Sequence, residues 1–151
     1  SGGFYFEIKA ISYATDGGVY LGLTSQATHN DAFVTNYIGF DTYAGTYRGA
    51  SDDTNDLTGT NVTSNNDIWQ VAFDATNRKF WIGKNNTWAD GTTPSIDGSD
   101  NTSVSVPSGA LYPFISRGGS SNETYQFNFG ASAFAHTPPS GFGTLNSSTK
   151  A

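Results

Sequence analysis

The stretch formed by residues 68–88 constrains the fold more than any other part of this sequence. Its two apolar runs, residues 68–73 and 79–82, are rich in aromatic and β-branched side chains, which are typical of β-strands. Short polar turn formers occupy residues 74–78 between the runs. We therefore predict a β-hairpin. Side chains alternate along a strand, so the most apolar face of this hairpin carries Trp69, Val71 and Phe73.

A hairpin alone is marginally stable in water, so the rest of the chain must cover its apolar face. Alternating apolar residues predict further strands at residues 4–10, 19–24, 37–41 and 124–130. The first two are expected to pair as a hairpin through the Asp16-Gly-Gly turn. Pro113 places the strand of residues 111–116 at a sheet edge or a bulge. Short strands separated by turns predict an all-β fold, a two-sheet antiparallel β-sandwich.

Composition and charge limit the domain count and the function classes. At 151 residues the chain fits one domain, which we expect to span residues 1–145, with residues 146–151 as a tail or linker. The formal charge is −6, without a basic cluster, which argues against nucleic-acid and anionic-membrane partners. There is no cysteine, so thiolate metal sites and catalytic cysteines are excluded. We expect no cofactor.

Catalytic and metal-binding constellations are weakly represented. Glu7 and Glu123 are the only glutamates; we expect Glu7 on the polar side of a strand and Glu123 in a turn, not the close carboxylate pair of a glycosidase. Asp52, Asp53 and Asp56 offer oxygen ligands for calcium, but their spacing does not match a calcium-binding loop. Solvated turns are the simpler interpretation of these aspartates, so the sequence predicts no metal site and no enzyme activity.

Exposed aromatic residues in loops are the best indication of a binding surface. Tyr43, Tyr47 and Trp88 lie in or beside predicted loops, as does Arg48. Tyrosine, tryptophan and arginine are enriched in recognition surfaces. For Tyr43 and Tyr47, packing of the ring on the sandwich itself is an equally good interpretation.

Six segments follow one another in an order that matches a known domain family. Phe4-Tyr-Phe-Glu-Ile is similar to the opening W-Y-F-E-V signature of SPRY domains, residues 18–24 to their G-V-x-x-G-L segment, and residues 127–130 to their closing F-N-F-G strand. Further matches lie at residues 37–41 and 111–116. The central hairpin matches best, at Asp67, Ile68, Val71, Asp74, Phe80, Trp81, Lys84 and Asn85.

This resemblance covers nearly the whole chain and implies a concanavalin-like sandwich that binds protein, or occasionally glycan, without catalysis. In the family, the loop after the L-Y-P-F-I-S segment faces the ligand, and the matching positions are Arg117 and Gly118. Two departures occur: Asn86 stands where the family has glycine, and the segment that normally precedes the first strand is missing. We therefore expect a module that belongs to a longer chain or a larger assembly.

The ending Thr137-Pro-Pro-Ser-Gly-Phe142, completed by Leu145, resembles SPRY-like modules of tailed-phage and other virion structural proteins. We therefore expect an extracellular or virion location and contact with a neighbouring virion subunit or a host surface. The alternative is a lectin-like, carbohydrate-binding domain. A polysaccharide-acting enzyme is the least favoured function.

Overall fold

The computed structural model describes residues 2–13, 18–25, 37–43, 45–49, 63–91, 93–96, 104–105, 108–117 and 122–145. Side chains of residues 46–49, 90, 104–105 and 117 are not described. The expected calcium ligands Asp52, Asp53 and Asp56, the loop residue Gly118 and the expected tail at residues 146–151 lie outside the described residues. The division into residues 1–145 and a tail stays a prediction.

The described chain folds into eleven strands and one 3-10 helical turn, Ala89–Gly91, without an α-helix. The strands are β1 (Gly3–Ser12), β2 (Val19–Thr24), β3 (Tyr37–Asp41), β4 (Thr46–Gly49), β5 (Ile68–Asp74), β6 (Lys79–Lys84), β7 (Thr87–Trp88), β8 (Val104–Ser105), β9 (Tyr112–Arg117), β10 (Thr124–Asn128) and β11 (Gly143–Thr144). No helix in the described ranges is long and apolar enough to span a membrane.

The strands form two sheets. The large sheet has the order β10-β1-β5-β6-β7, with β8 paired to β6 and β11 paired to β1, and the small sheet has the order β4-β3-β2-β9. All pairs are antiparallel except β1 with β11. The predicted fold class, a two-sheet antiparallel sandwich, is confirmed. Within the described chain β9 is an edge strand, as Pro113 predicted.

The main core lies between the two sheets. The large sheet contributes Phe6, Ile8 and Trp69, and the small sheet contributes Leu21 and Phe40, all with no exposed surface. Each fully buried large apolar side chain contributes about 1.5–3 kcal/mol to stability. Burial of these side chains therefore holds the two sheets together.

The central hairpin is confirmed. β5 and β6 pair in continuous register from Trp69–Lys84 to Asp74–Lys79, and they lie in the middle of the large sheet. Trp69, Val71 and Phe73 all enter the main core, as the alternation predicted. Between β6 and β7, Asn85 and Asn86 both have positive φ, 49° and 66°, the conformation of a tight two-residue hairpin turn. Because asparagine tolerates this conformation, it can stand where the family has glycine.

The expected pairing of the first two strands is wrong. β1 pairs with β5, β10 and β11 in the large sheet, whereas β2 pairs with β3 and β9 in the small sheet. Both strands present an apolar face to the core, with Phe6 on β1 and Leu21 on β2. Alternation reports which face is buried and not which strand is the neighbour, so a pattern of two adjacent amphipathic strands fits either arrangement.

A second apolar layer covers the outer face of the large sheet. We define the C-terminal segment as residues 130–145; its Phe134 packs edge-on against Tyr5, with ring centroids 4.8 Å apart. Phe142 packs in the same way against Trp81, at 5.6 Å. These two rings therefore anchor the C-terminal segment on the large sheet. The large sheet is buried on both faces in this region.

Asp74 fixes the turn of the central hairpin. Its carboxylate accepts hydrogen bonds from the backbone N–H groups of Thr76 (2.8 Å) and Asn77 (3.1 Å) and from the side-chain amide of Asn77 (2.7 Å). Burial alone would raise the pKa of Asp74, but these hydrogen bonds and the charge of Lys79 outweigh it, so the pKa lies below its usual value.

We expect Asp74→Ala to lower the free energy of unfolding by about 1–2 kcal/mol at neutral pH, because three donors lose their acceptor. A depressed pKa stabilises the fold above the unfolded-state value of about 3.9 and loses this effect as pH falls through the folded-state value. The difference between wild type and variant should therefore shrink below about pH 4. Urea unfolding at pH 7 and at pH 3 measures it, and a difference that persists unchanged at pH 3 would contradict the assignment.

Candidate binding surfaces

The turn that follows β3 presents Tyr43 on the protein surface. Asp41 organises the turn: its carboxylate accepts a hydrogen bond from the N–H of Tyr43 at 2.9 Å, and its carbonyl accepts one from Gly45 at 2.8 Å. Thr42 exchanges hydrogen bonds with Val19 at the start of β2. The Tyr43 side chain is 71% exposed. A large exposed ring on a well-tied turn is suited to recognition, because little ordering is needed on binding.

Gly18 makes this turn possible by leaving room beside it. A methyl group at Gly18 would lie 2.7 Å from an Asp41 carboxylate oxygen and 2.8 Å from the Cβ of Tyr43, both shorter than atoms tolerate. The glycine that begins the second matched segment therefore serves the position of Tyr43. The sequence signal for this role was present, but only the fold shows which residues pack on Gly18.

The structure brings part of the predicted binding set to one end of the small sheet. Arg117 pairs with Val19, so its backbone lies at the same end of the sheet as Tyr43, about two strand spacings or 10 Å across. Tyr47 and Arg48 lie on strand β4, paired with Phe40 and Gly39. Their ligand contacts stay predictions. We name this end of the small sheet, Tyr43 with the backbone of Gly18 and Arg117, the tyrosine end.

The expectation that Trp88 is exposed is wrong. It is 8% exposed, because β7 folds back on β6 and places the indole over Gly83. Its ring also meets Tyr5 edge-on at 6.5 Å. Tyr37, which also lies next to a predicted loop, is 6% exposed and packs on Phe114 at 5.6 Å. A polar two-residue turn before Trp88 looked like a loop, although it closes a hairpin.

Glu7 lies on the face of β1 away from the sandwich core, as predicted, and it is buried there by a segment that alternation does not reveal. It is 4% exposed. Its carboxylate accepts hydrogen bonds from the N–H groups of Ala135 (2.9 Å) and His136 (2.8 Å) and from the hydroxyl of Tyr5 (2.9 Å). The side of β1 is as predicted, but the C-terminal segment covers it. Glu7 therefore ties the C-terminal segment to the large sheet.

Tyr5 and Gln70 extend this buried polar network. The amide nitrogen of Gln70 donates to the Tyr5 hydroxyl at 3.2 Å, and the amide oxygen of Gln70 accepts from the N–H of Asn86 at 2.6 Å. Burial raises the pKa of Tyr5 well above its usual value; the bond from Gln70 lowers it, and Glu7 raises it further. The hydroxyl thus stays protonated and donates to Glu7. Each member has a partner, which is the condition for a stable buried network.

The two glutamates are too far apart to act as a pair. Glu7 is in register with Asn128, and Ser12 with Thr124, so Glu7 and Glu123 are about five residues apart along the strands, or roughly 17 Å. Glycosidase carboxylates lie about 5–9 Å apart. In the described ranges, no group of three or more histidine, aspartate or glutamate side chains is placed to hold a metal ion.

A cleft of about 250 Å³ lies on the outer face of the large sheet, beside the C-terminal segment. We call it the outer cleft. Its lining includes Glu7, Lys9, Gln126, Asn128, Ser132 and Ala133. Sequence patterns did not predict this cleft, because its wall at Ser132 and Ala133 lies more than a hundred residues from the β1 part of its floor. The alternation of β1 gave the only signal, by placing Glu7 and Lys9 on one face.

The fold is similar to the crystal structure of the SPRY domain of human HERC1. The two chains are 17% identical, the TM-score is 0.59, and the match covers 84% of this chain and 74% of that chain. No family model and no curated protein matches the sequence. The structural likeness confirms an SPRY-like fold; at this identity it does not carry over a function.

Proposed function

We propose that this protein is a non-enzymatic binding module that contacts a protein partner through the tyrosine end. The observation that carries the proposal is the 71% exposure of Tyr43 on a turn held by four hydrogen bonds. Tyrosine offers a large contact area at a small cost in conformational entropy. The SPRY-like fold supports the same function by analogy.

A non-catalytic role is supported by the state of the best-placed acid. Glu7 accepts three hydrogen bonds within the fold, and its distance of roughly 17 Å from Glu123 is too long for the carboxylate pair of a glycosidase. The binding function asks only for a rigid surface. A polysaccharide-acting enzyme is therefore the least supported alternative.

We also propose that this binding module belongs to a virion. This context is supported by the resemblance of residues 137–145 to the endings of virion modules, and by the acidic composition, −6 in formal charge. The partner would be a neighbouring virion subunit or a host-surface protein. Identifying the full-length chain tests this part; an intracellular ubiquitin-ligase or enzyme context would contradict it.

Glycan binding is the second candidate function, and one of the observations in its favour does not hold. It relied on Trp88 as an exposed stacking ring, and that ring is 8% exposed. Tyr43 is the remaining exposed aromatic of the predicted set among the described side chains. A glycan array probed with wild type and Tyr43→Ala therefore tests this candidate, and the absence of any bound glycan counts against it.

We expect Tyr43→Ala to weaken binding of peptides selected against the wild-type domain by about tenfold or more, as for a tyrosine hot spot. The selection uses a displayed random peptide library, and affinities are measured by isothermal titration. Folding should not change, because substitution of an exposed side chain usually alters stability by less than about 0.5 kcal/mol.

Tyr112→Ala is the matched control. Tyr112 is 42% exposed and pairs with Thr24, at the opposite end of the small sheet from Val19. Selected peptides should bind this variant as they bind wild type. Peptides that lose affinity for Tyr112→Ala and not for Tyr43→Ala would move the binding surface to the other end of the sheet and refute the proposed one.

A further inference from the structure

We propose that the outer cleft is a second binding site, which takes the carboxylate of an acidic side chain from a protein ligand, with Lys9 as its cation. The cleft lies on the outer face of the large sheet, whereas the tyrosine end belongs to the small sheet. The inference rests on the proposed protein-binding function and adds the chemistry of one contact to it.

Two neighbouring rows of the large sheet form the floor of the cleft. One row contains Lys9, paired with Gln126 on β10 and Ile68 on β5; the next contains Glu7, paired with Asn128 and Gln70. Alternation along β1 puts Glu7 and Lys9 on the same face. Lys9 and Gln126 therefore lie side by side and offer an ammonium group and an amide to one ligand.

The wall of the cleft is held by side-chain hydrogen bonds. The Asn128 amide donates to the carbonyls of Ser132 (3.3 Å) and Ala133 (3.1 Å), and its oxygen accepts from the N–H of Gly130 (3.0 Å). Just after Ala133 in the chain, the N–H groups of Ala135 and His136 donate hydrogen bonds to the Glu7 carboxylate. Ser132 and Ala133 thus face the cleft from a fixed position. Binding sites are usually formed in advance in this way.

Glu7 and Lys9 are the two charged residues that line the cleft, and the Glu7 carboxylate already accepts hydrogen bonds from Tyr5, Ala135 and His136. The Glu7 carboxylate is 4% exposed and turned toward Tyr5, the residue on the far side of Glu7 from Lys9. Lys9 is half-buried, and within the described part of the chain its ammonium has no hydrogen bond or ion pair. The cation presented to a ligand is therefore Lys9, which lines the cleft together with Gln126 and Ser132. Ammonium, amide and hydroxyl groups can all donate to a carboxylate.

The size of the cleft selects a single side chain. Its volume of about 250 Å³ is below the roughly 300–1,000 Å³ of sites that enclose a drug-sized ligand. An aspartate or glutamate side chain fits such a space, and an oligosaccharide does not. Because the whole chain carries −6, attraction must come from Lys9 at short range rather than from the overall field.

The test uses small probes and amide NMR spectra of the isotope-labelled protein. The probes are a tripeptide blocked at both ends with a central aspartate, the same tripeptide with asparagine, a glycine tripeptide with a free carboxyl terminus, and glucuronate. We expect the aspartate probe to shift the signals of Lys9, Gln126 and Ser132 with a dissociation constant of about 1–10 mM, and the asparagine probe to leave them unchanged.

Lys9→Gln should weaken binding of the aspartate probe about fivefold, as for loss of a partly exposed ion pair, and Lys9→Arg should retain it. Lys79→Gln makes the same charge change two strands away on β6 and should have no effect. No shift, an equal response to asparagine, or an unchanged affinity in Lys9→Gln overturns the proposal. Larger signal shifts with the glycine tripeptide or with glucuronate than with the aspartate probe would refute the claim that the carboxylate comes from an acidic side chain. Peptides that still depend on Tyr43 after such a result would leave the proposed function standing.

Discussion

Replacing Glu7 by alanine is expected to lower the free energy of unfolding by about 3–5 kcal/mol, because two backbone N–H groups and the Tyr5 hydroxyl lose their acceptor beneath the C-terminal segment. Contacts of Phe134 with Tyr5 and of Phe142 with Trp81 depend on the same docking. Hydrogen exchange should therefore quicken first at Ala135 and His136. Chemical denaturation gives the stability, and exchange of individual amides gives the place of the change.

Glu123→Ala is the control, since it removes the other glutamate of the chain. Glu123 is half-buried and accepts a bond of 3.2 Å from Tyr125, so a loss of about 1 kcal/mol or less is expected. Glu7→Gln keeps one acceptor oxygen and should fall between wild type and Glu7→Ala. Equal stability of the two alanine variants would mean that Glu7 does not hold the C-terminal segment.

Glu7 also shows how far alternation leads. The pattern Phe4 to Lys9 correctly put Glu7 on the face of β1 away from the sandwich core. The pattern could not show that Ala135 and His136 cover that face, because they lie more than a hundred positions further along the chain. Alternation is a property of one strand, whereas coverage depends on tertiary packing. Buried polar networks of this kind are therefore the features that sequence patterns miss.

The central hairpin was predictable because each local signal agreed with the fold. Aromatic and β-branched strands, an aspartate at the turn and continuous register between β5 and β6 all point to one structure. The pairing of β1 was not predictable, because a strand with one apolar face can join either sheet. Its true neighbours, β5 and β10, are distant in sequence.

The candidate site was predictable only in part. Tyr43 and the backbone of Arg117 lie at the same end of the small sheet, about two strand spacings apart. The sequence named each as a separate candidate and did not predict that they share this end. Trp88 does not join them, because the Asn85–Asn86 turn folds it onto Gly83. A tryptophan after a polar turn has the same local sequence whether the turn begins a loop or closes a hairpin. The partner strand decides the outcome, and β6 is that partner.

The aromatic residues of this fold serve two different purposes, packing in the core and exposure to a ligand. Trp69 and Tyr43 are extremes, at 0% and 71% exposure. Trp69 packs against Phe40 of the opposite sheet with ring centroids 5.5 Å apart and ring planes tilted by 44°, and its indole N–H donates to Thr63 at 3.2 Å. The Lys84 ammonium lies 5.5 Å from the centre of the ring. Trp69 thus joins the two sheets and has no surface left for a ligand.

Trp69→Ala should lower the free energy of unfolding by about 3–5 kcal/mol, the range for removal of a buried aromatic side chain, which corresponds to a fall in Tm of roughly 10 °C for a chain of this length. Trp69→Phe should cost less, because a ring still fills part of the space. Thermal unfolding followed by circular dichroism measures both. Tyr43→Ala should leave Tm within about 2 °C of wild type.

Measured together, stability and peptide affinity separate the two roles. Below its unfolding temperature, Trp69→Ala should bind selected peptides as wild type does, because the tyrosine end belongs to the small sheet and its turn is tied by Asp41 and Thr42. A Trp69 variant that stays folded and loses peptide affinity, while Tyr43→Ala keeps it, would assign the ligand to the central hairpin. We expect Trp69→Ala to keep peptide affinity and Tyr43→Ala to lose it, because a side chain with no exposed surface acts on a ligand only by supporting the residues that touch it.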